Sequence, residues 1–100
     1  MNLKYIFKIL DKDEWYNAKK DGNYLGSSQD LKDGYIHFSE EEQVHETLKK
    51  YYDKKENLIL LKVHTLNLEH LVWENASNGD MYTHLYSTLN IENVEDEFEL

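Results

Sequence analysis

The chain contains no cysteine, no proline and no arginine. Without cysteine there is no disulfide scaffold, no zinc–thiolate site and no thiol nucleophile. Without arginine there is no bidentate phosphate fork, which lysine replaces only as a point charge. Long apolar runs are also missing. The longest, Leu58 to Leu61, is far too short for a membrane span. No long apolar run opens the chain, so no secretory signal is expected and a cytoplasmic location is. G-x-G-x-x-G, the P-loop, G-x-S-x-G and H-E-x-x-H do not occur. Their absence removes the common dinucleotide, nucleoside-triphosphatase, hydrolase and zincin signatures.

What the chain does have is negative charge. Its 100 residues include 20 acids against 11 lysines, for a net charge of −9. An apolar fraction of 40% and 13% aromatics argue for one folded domain with a modest core, despite 31% charged residues. The charge is unevenly spread. All 11 lysines lie in residues 1–62, which are near neutral, whereas residues 63–100 hold no lysine and 8 acids. A long nucleic acid needs a basic stripe, so none is expected as a partner. A membrane partner is not expected either, and the chain is expected to be a monomer or weak dimer.

Residues 4–10 alternate, with Tyr5, Phe7 and Ile9 on one face and Lys4, Ile6, Lys8 and Leu10 on the other. That pattern predicts a strand. Asp11 with Glu14 reads as a capping box opening a helix, and Gly22 reads as its stop, with Trp15 and Ala18 buried. Residues 23–34, rich in Gly, Ser, Asp and Asn, read as a loop with room for a short strand at Tyr24–Leu25. Gly34 to Phe38 reads as a strand placing Ile36 and Phe38 on one face and Tyr35 and His37 on the other. Ser39 with Glu42 reads as a second capping box, followed by Val44, Leu48, Tyr51 and Tyr52 at helical spacing. Leu58 to His64 reads as a central strand buried on both faces. Leu71 to Glu74 reads as a strand and Asn75 to Asp80 as a turn. Met81 to Tyr86 reads as a strand with Tyr82, His84 and Tyr86 on one face. Leu89 to Val94 is a last strand or turn. The order, helices early and strands late, predicts an α+β fold. It is a small single domain over residues 1–94, a mostly antiparallel twisted sheet with two helices, followed by an acidic, loosely held tail over 95–100.

Three groups of residues could carry chemistry. His37 with Ser39 stands at a strand end and helix start, where free N–H groups favour an anion. The alternative is that Ser39 only caps the helix and His37 only fills space. His84 with Tyr86 and Tyr82 offers imidazole and phenol groups on one face, suited to a sugar or a base or simply to a half-exposed sheet. Trp73-Glu74 places a carboxylate beside an indole at a strand end, as a general base or an ordinary exposed residue. The remaining histidines, His45, His64 and His70, have no evident partners, and no metal site is expected.

Gly26-Ser27, Asp30, Asp33-Gly34-Tyr35-Ile36-His37-Phe38-Ser39, Gln43, Trp73-Glu74 and His84-Leu85-Tyr86 together resemble the bacterial domain-of-unknown-function family 952. Members often carry D-G-[FY]-I-H-[LF]-S with a nearby glutamine, then W-E, then F-P-H-[LI]-Y. The resemblance runs from about Tyr5 to Val94. It departs at Tyr82-Thr83, where the family usually has Phe-Pro.

The resemblance implies an α+β fold similar to that of ADP-ribosyltransferases and RNA 2′-phosphotransferases, and recurrent polar positions at Gln43, Glu74, His84 and Tyr86. It implies a cleft lined by His37, Ser39, Glu74, His84 and Tyr86, binding a nucleotide or ribosyl ligand with NAD as the candidate substrate. In that reading His37, Glu74 and His84 are catalytic, and Ser39, Gln43 and Tyr86 bind substrate. His37 holds the ribose, Tyr86 stacks on nicotinamide or a base, and Glu74 stabilises an oxocarbenium-like transition state. Lys4, Lys8, Lys32 and backbone N–H groups are left for the phosphates. The alternatives are a non-catalytic module binding a small molecule or a protein, and a purely structural network joining His37 to His84.

Overall fold

The computed structural model describes residues 4–75 and 79–100. In chain order the elements are strand β1 (Tyr5–Asp11), helix α1 (Lys12–Asp21), strand β2 (Asn23–Tyr24), helix α2 (Ser28–Asp33), strand β3 (Ile36–Phe38), a 3-10 turn (Glu41–Gln43) and helix α3 (Val44–Tyr51). There follow β4 (Leu58–His64), β5 (Leu71–Asn75), β6 (Met81–Leu85), β7 (Leu89–Asn90), a second 3-10 turn (Ile91–Asn93) and β8 (Val94–Glu99). They form three antiparallel sheets in the orders β1-β4-β8, β2-β7 and β3-β6-β5. A backbone bridge between Phe7 and Ser39 joins the first sheet to the third. The α+β expectation holds, with three helices where two were expected. No helix among the described residues is long and apolar enough to cross a membrane.

The apolar faces meet in one core that includes Ile6, Leu10, Trp15, Ile36, Phe38, Leu61 and Leu85. β4 is the centre of its sheet and buries Leu58, Ile59, Leu61 and Val63, as its apolar run predicts. Helix α1 buries Trp15 and Ala18 and ends on Gly22 in the left-handed region at φ +86°, which glycine reaches without a Cβ clash.

Four expectations are corrected. Residues 28–33 are helix α2, not loop. The Ser27 hydroxyl accepts from the Asp30 N–H, and the Asp30 carboxylate accepts from the Ser27 N–H. This box opens a six-residue helix with no apolar stripe, whose buried side chain is Asp30 itself. Periodicity has nothing to detect there. Asp11 stands at the start of α1 but its side chain makes no capping hydrogen bond, and the Glu14 carboxylate accepts instead from the Tyr24 hydroxyl at 3.2 Å.

Ser39 does not cap a helix. Its backbone stays in the bridge to Phe7, and its hydroxyl lies 3.2 Å from that of Thr47. The turn opens one residue later, where the Gln43 side chain accepts from the Glu40 N–H.

The segment expected as a loose tail is strand β8. It pairs with β4 from Ile59 opposite Glu99 to Val63 opposite Val94. Its acids meet lysines from earlier in the chain: Lys12 with Glu99 at 3.1 Å, Lys19 with Glu97 at 3.4 Å and Lys62 with Glu95 at 3.8 Å. Trp15 also donates to Glu97 at 2.6 Å. Composition marks this segment as acidic but does not show that its counter-charges wait on α1 and β4.

Candidate functional site

The third sheet has one face on the core and one turned outward. Ile36, Phe38, Thr83 and Leu85 are buried on the inner side. Strand alternation therefore sends His37 and His84 to the outer side, where they stand directly opposite each other in the β3–β6 ladder. Val72 is opposite His84 and Glu74 opposite Tyr82 in the β5–β6 ladder, which adds β5 to the same surface. Tyr35 stacks on the His84 ring with centroids 4.1 Å apart, and lies 4.7 Å from His37 and 5.1 Å from Tyr86.

Each imidazole is held through Nδ1 by a carboxylate. His37 Nδ1 is 2.5 Å from Asp30 Oδ1, and its Nε2 is 3.1 Å from Asp33 Oδ2. Both ring nitrogens can donate at once only in the imidazolium form. Asp30 also accepts from the His37 N–H at 3.2 Å and from the Lys8 ammonium at 2.9 Å. Lys8 and Asp30 are 4% and 2% exposed, so they form a buried ion pair. Burial pushes the Asp30 carboxyl up, but His37, Lys8 and the Ser27 N–H outweigh it and hold the group well below the usual carboxylate range. Burial pulls the Lys8 ammonium below its usual value, with Asp30 opposing.

Local sequence builds this dyad. Alternation in β1 places Lys8 on the face of Ile6 and Leu10, which is the core face. Helix α2 then supplies the carboxylate that makes a buried lysine tolerable. Gly26 permits the approach: at φ +118°, a Cβ there would stand 2.8 Å from the Asp30 Cβ. Gly34 ends α2 in the left-handed region and turns the chain into β3. The Gly26–His37 run is thus a single device that aims one imidazole.

The second dyad is built on β5 and β6. His84 Nδ1 is 2.7 Å from Glu74 Oε1, and the Tyr86 hydroxyl donates to the same oxygen at 2.6 Å. These two hydrogen bonds, that from Tyr86 first, draw the Glu74 carboxyl below its usual range. The same bond is the main cause that pushes the Tyr86 phenol up to about 12. Glu74 Oε2 and His84 Nε2 have no hydrogen-bond partner among the described residues.

Of the six site residues expected from sequence, the structure brings His37, Glu74, His84 and Tyr86 together. Ser39 is separate, 7% exposed and turned to Thr47. Gln43 is also separate. Its side chain bonds the Glu40 N–H and donates to the Met81 carbonyl at 2.8 Å, pinning the 3-10 turn to the start of β6. Lys8 is committed to Asp30 and Lys4 is paired with Glu40 at 3.1 Å, so neither is the open phosphate partner expected. Two shallow concavities, of about 240 and 380 Å³, adjoin Glu40 and contain neither His37 nor His84. Among the described residues no group of three or more His, Asp and Glu side chains is placed to hold a metal.

Sequence reasoning gave no role to Asp30, Asp33 or Tyr35. The capping box at Ser27–Asp30 and the shared parity of Tyr35 and His37 were the available signals.

Residues 9–97 match the family described as protein of unknown function DUF952. The chain belongs to the DUF952 family. The same fold is seen in solved structures. The crystal structure of protein CC0527 from Caulobacter crescentus is 42% identical, with a TM-score of 0.93 over 97% of this chain and 86% of that one. The solution NMR structure of CC0527 is likewise 42% identical, with a TM-score of 0.84 over 100% of this chain and 85% of that one. A search of curated proteins gave no match.

Proposed function

We propose that this DUF952 domain binds a nucleotide or ribosyl ligand on the outer face of its third sheet, with NAD as the candidate substrate and ADP-ribosyl-type transfer as the candidate reaction. The observation that carries the reading is the pair of cross-strand imidazoles, each oriented through Nδ1 by a carboxylate and flanked by phenol rings. The neighbouring Tyr35 and Tyr86 rings, with centroids 5.1 Å apart, suit a planar base. A neutral His84 that donates from Nδ1 to Glu74 leaves Nε2 with a lone pair, the arrangement of a general base.

In the transfer, the bond between ribose C1′ and the nicotinamide nitrogen breaks. Neutral nicotinamide leaves with the electron pair. Glu74 opposes the positive charge that develops at C1′. An acceptor O–H or N–H adds to C1′ and its proton passes to His84 Nε2. His37, with both ring nitrogens paired to Asp30 and Asp33, frames the site. The fold similarity implied for the family supports the reading by analogy, and fold alone does not determine a reaction. The same reading makes the protein a cytoplasmic monomer or weak dimer.

The exposed Glu74 and Tyr86 side chains favour a second reading, a non-catalytic binding module. Isothermal calorimetry with NAD, ADP-ribose and nicotinamide, run beside an assay of NAD consumption, separates the two. Transferase action requires binding together with turnover that His84→Ala abolishes. Binding without turnover selects the module. Binding at full affinity by both His37→Ala and His84→Ala overturns the site.

A further inference from the structure

The tyrosines outside the core divide into two sets. Tyr24 is in the core. Tyr5, Tyr16, Tyr51 and Tyr52 each have a lysine ammonium over the ring, at 4.2 Å from Lys62, 5.0 Å from Lys19, 5.3 Å from Lys50 and 5.6 Å from Lys55. Tyr35, Tyr82 and Tyr86 have no such lysine among the described residues, and all three belong to the outer face of the third sheet. The protein supplies cations to its other accessible phenols and none to these.

The polar groups of the face point the same way. Glu74 is ionised and 39% exposed. Both of its protein hydrogen bonds fall on Oε1, so Oε2 is open. Tyr86 is 45% exposed and donates its proton to that carboxylate, which enriches its ring in electron density and strengthens its attraction for a positive charge. The lysine behind the face, Lys8, is buried and neutralised by Asp30. A negatively charged group placed here would meet Glu74, with Lys8 committed to Asp30 and His37 to Asp30 and Asp33.

We infer that the face recognises an organic cation, a quaternary ammonium or N-alkylated pyridinium group, seated on the Tyr86 and Tyr35 rings with Glu74 Oε2 as its counter-ion. The inference deepens the proposed ligand site and rests on that surface being the one used. It makes the positive end of a ligand the recognised end, and the diphosphate of a dinucleotide a passenger. Aromatic surfaces bind such cations through ring electrons, and loss of charge at constant shape removes the attraction.

The test uses isosteric pairs on the full chain, followed by amide and aromatic NMR shifts. Choline should shift Tyr35, Tyr86 and Glu74 saturably, and its neutral isostere 3,3-dimethylbutan-1-ol should bind at least tenfold more weakly. Glu74→Gln should lower choline affinity at least tenfold. Tyr86→Leu, at an exposed position, should do the same, and serves if Glu74→Gln fails to fold. NAD in its oxidised, pyridinium form should bind at least tenfold tighter than NADH. Equal binding of choline and its isostere, or shifts away from this face, overturns the inference. Equal binding of NAD and NADH with no choline binding overturns it and leaves the nucleotide reading standing. Choline binding with no nucleotide binding supports it and removes the nucleotide reading instead.

Discussion

His37 and His84 lie opposite one another in the β3–β6 ladder, with ring centroids 5.4 Å apart and planes inclined by 71°. They are gripped from different sides, His37 by Asp30 of α2 and His84 by Glu74 of β5. The Asp30 carboxylate is buried and also paired with Lys8, whereas the Glu74 carboxylate is exposed. The two halves of the site therefore respond differently to substitution and to pH.

Asp30→Asn should be strongly destabilising. It leaves the buried Lys8 ammonium without its counter-charge, a change that costs about 3–5 kcal/mol in denaturant unfolding. Replacing Lys8 and Asp30 together with Met and Leu should cost less than Asp30→Asn alone, because no orphaned charge remains.

The same carboxylate sets an acid limit. Its pKa in the folded protein lies below the unfolded value of about 4. The stability it contributes is fully present above pH of about 4 and is lost as pH falls through the folded value. Melting temperature should therefore drop below that pH in the native chain. The drop should be shallower in the Lys8→Met, Asp30→Leu double variant. An equally steep fall in both would assign the acid limit to other carboxylates.

Glu74→Gln should return the Tyr86 phenol from about 12 toward its ordinary 10, because the hydrogen bond to an ionised Glu74 is the main cause of the rise. A pH titration of the tyrosine ring carbons reads this directly. An unmoved Tyr86 titration would show that this bond is not made in solution.

Ser39→Ala and Gln43→Ala should leave ligand affinity on the histidine face unchanged. Each should instead cost about 1 kcal/mol of stability, through loss of the Thr47 contact or of the bonds to Glu40 and Met81. A tenfold loss of affinity in either variant, with a native melting curve, would return that residue to the site.

Gly26→Ala should shift Asp30 and loosen His37, since the added methyl meets the Asp30 Cβ at 2.8 Å in a backbone region unfavourable to alanine. The expected signature is a lower melting temperature together with a change in the His37 ring-nitrogen shifts. A change in stability with unaltered ring nitrogens would separate Gly26 from the dyad.

Half of the candidate site was legible from alternation. Period two places Tyr35 with His37 and Tyr82 with His84 and Tyr86, because strand geometry leaves no other choice. That the two sets share one surface was not legible, since pairing between β3 and β6 joins residues far apart in sequence. Asp30 escaped because a polar six-residue helix has no hydrophobic period, and its capping box reads equally well as a turn. Ser39 was misplaced by a single residue: the bridge to Phe7 holds it in extended backbone and delays the turn to Glu41. The fold was read well wherever a run faced the core, as at β4, and poorly at β8, where exposed acids carry no burial signal.

The place of β8 bears on how the chain comes to be folded. β4 lies between β1 and β8, and its second neighbour is made of residues 94–99. During synthesis the edge of an apolar strand, Leu58–His64, stays unpaired until β8, which begins thirty residues after it, has been added. Such an edge is a template for pairing with another chain. The acids of β8 then close it with a strand that carries its own repulsion toward further strands, so the strand that completes the sheet also ends it.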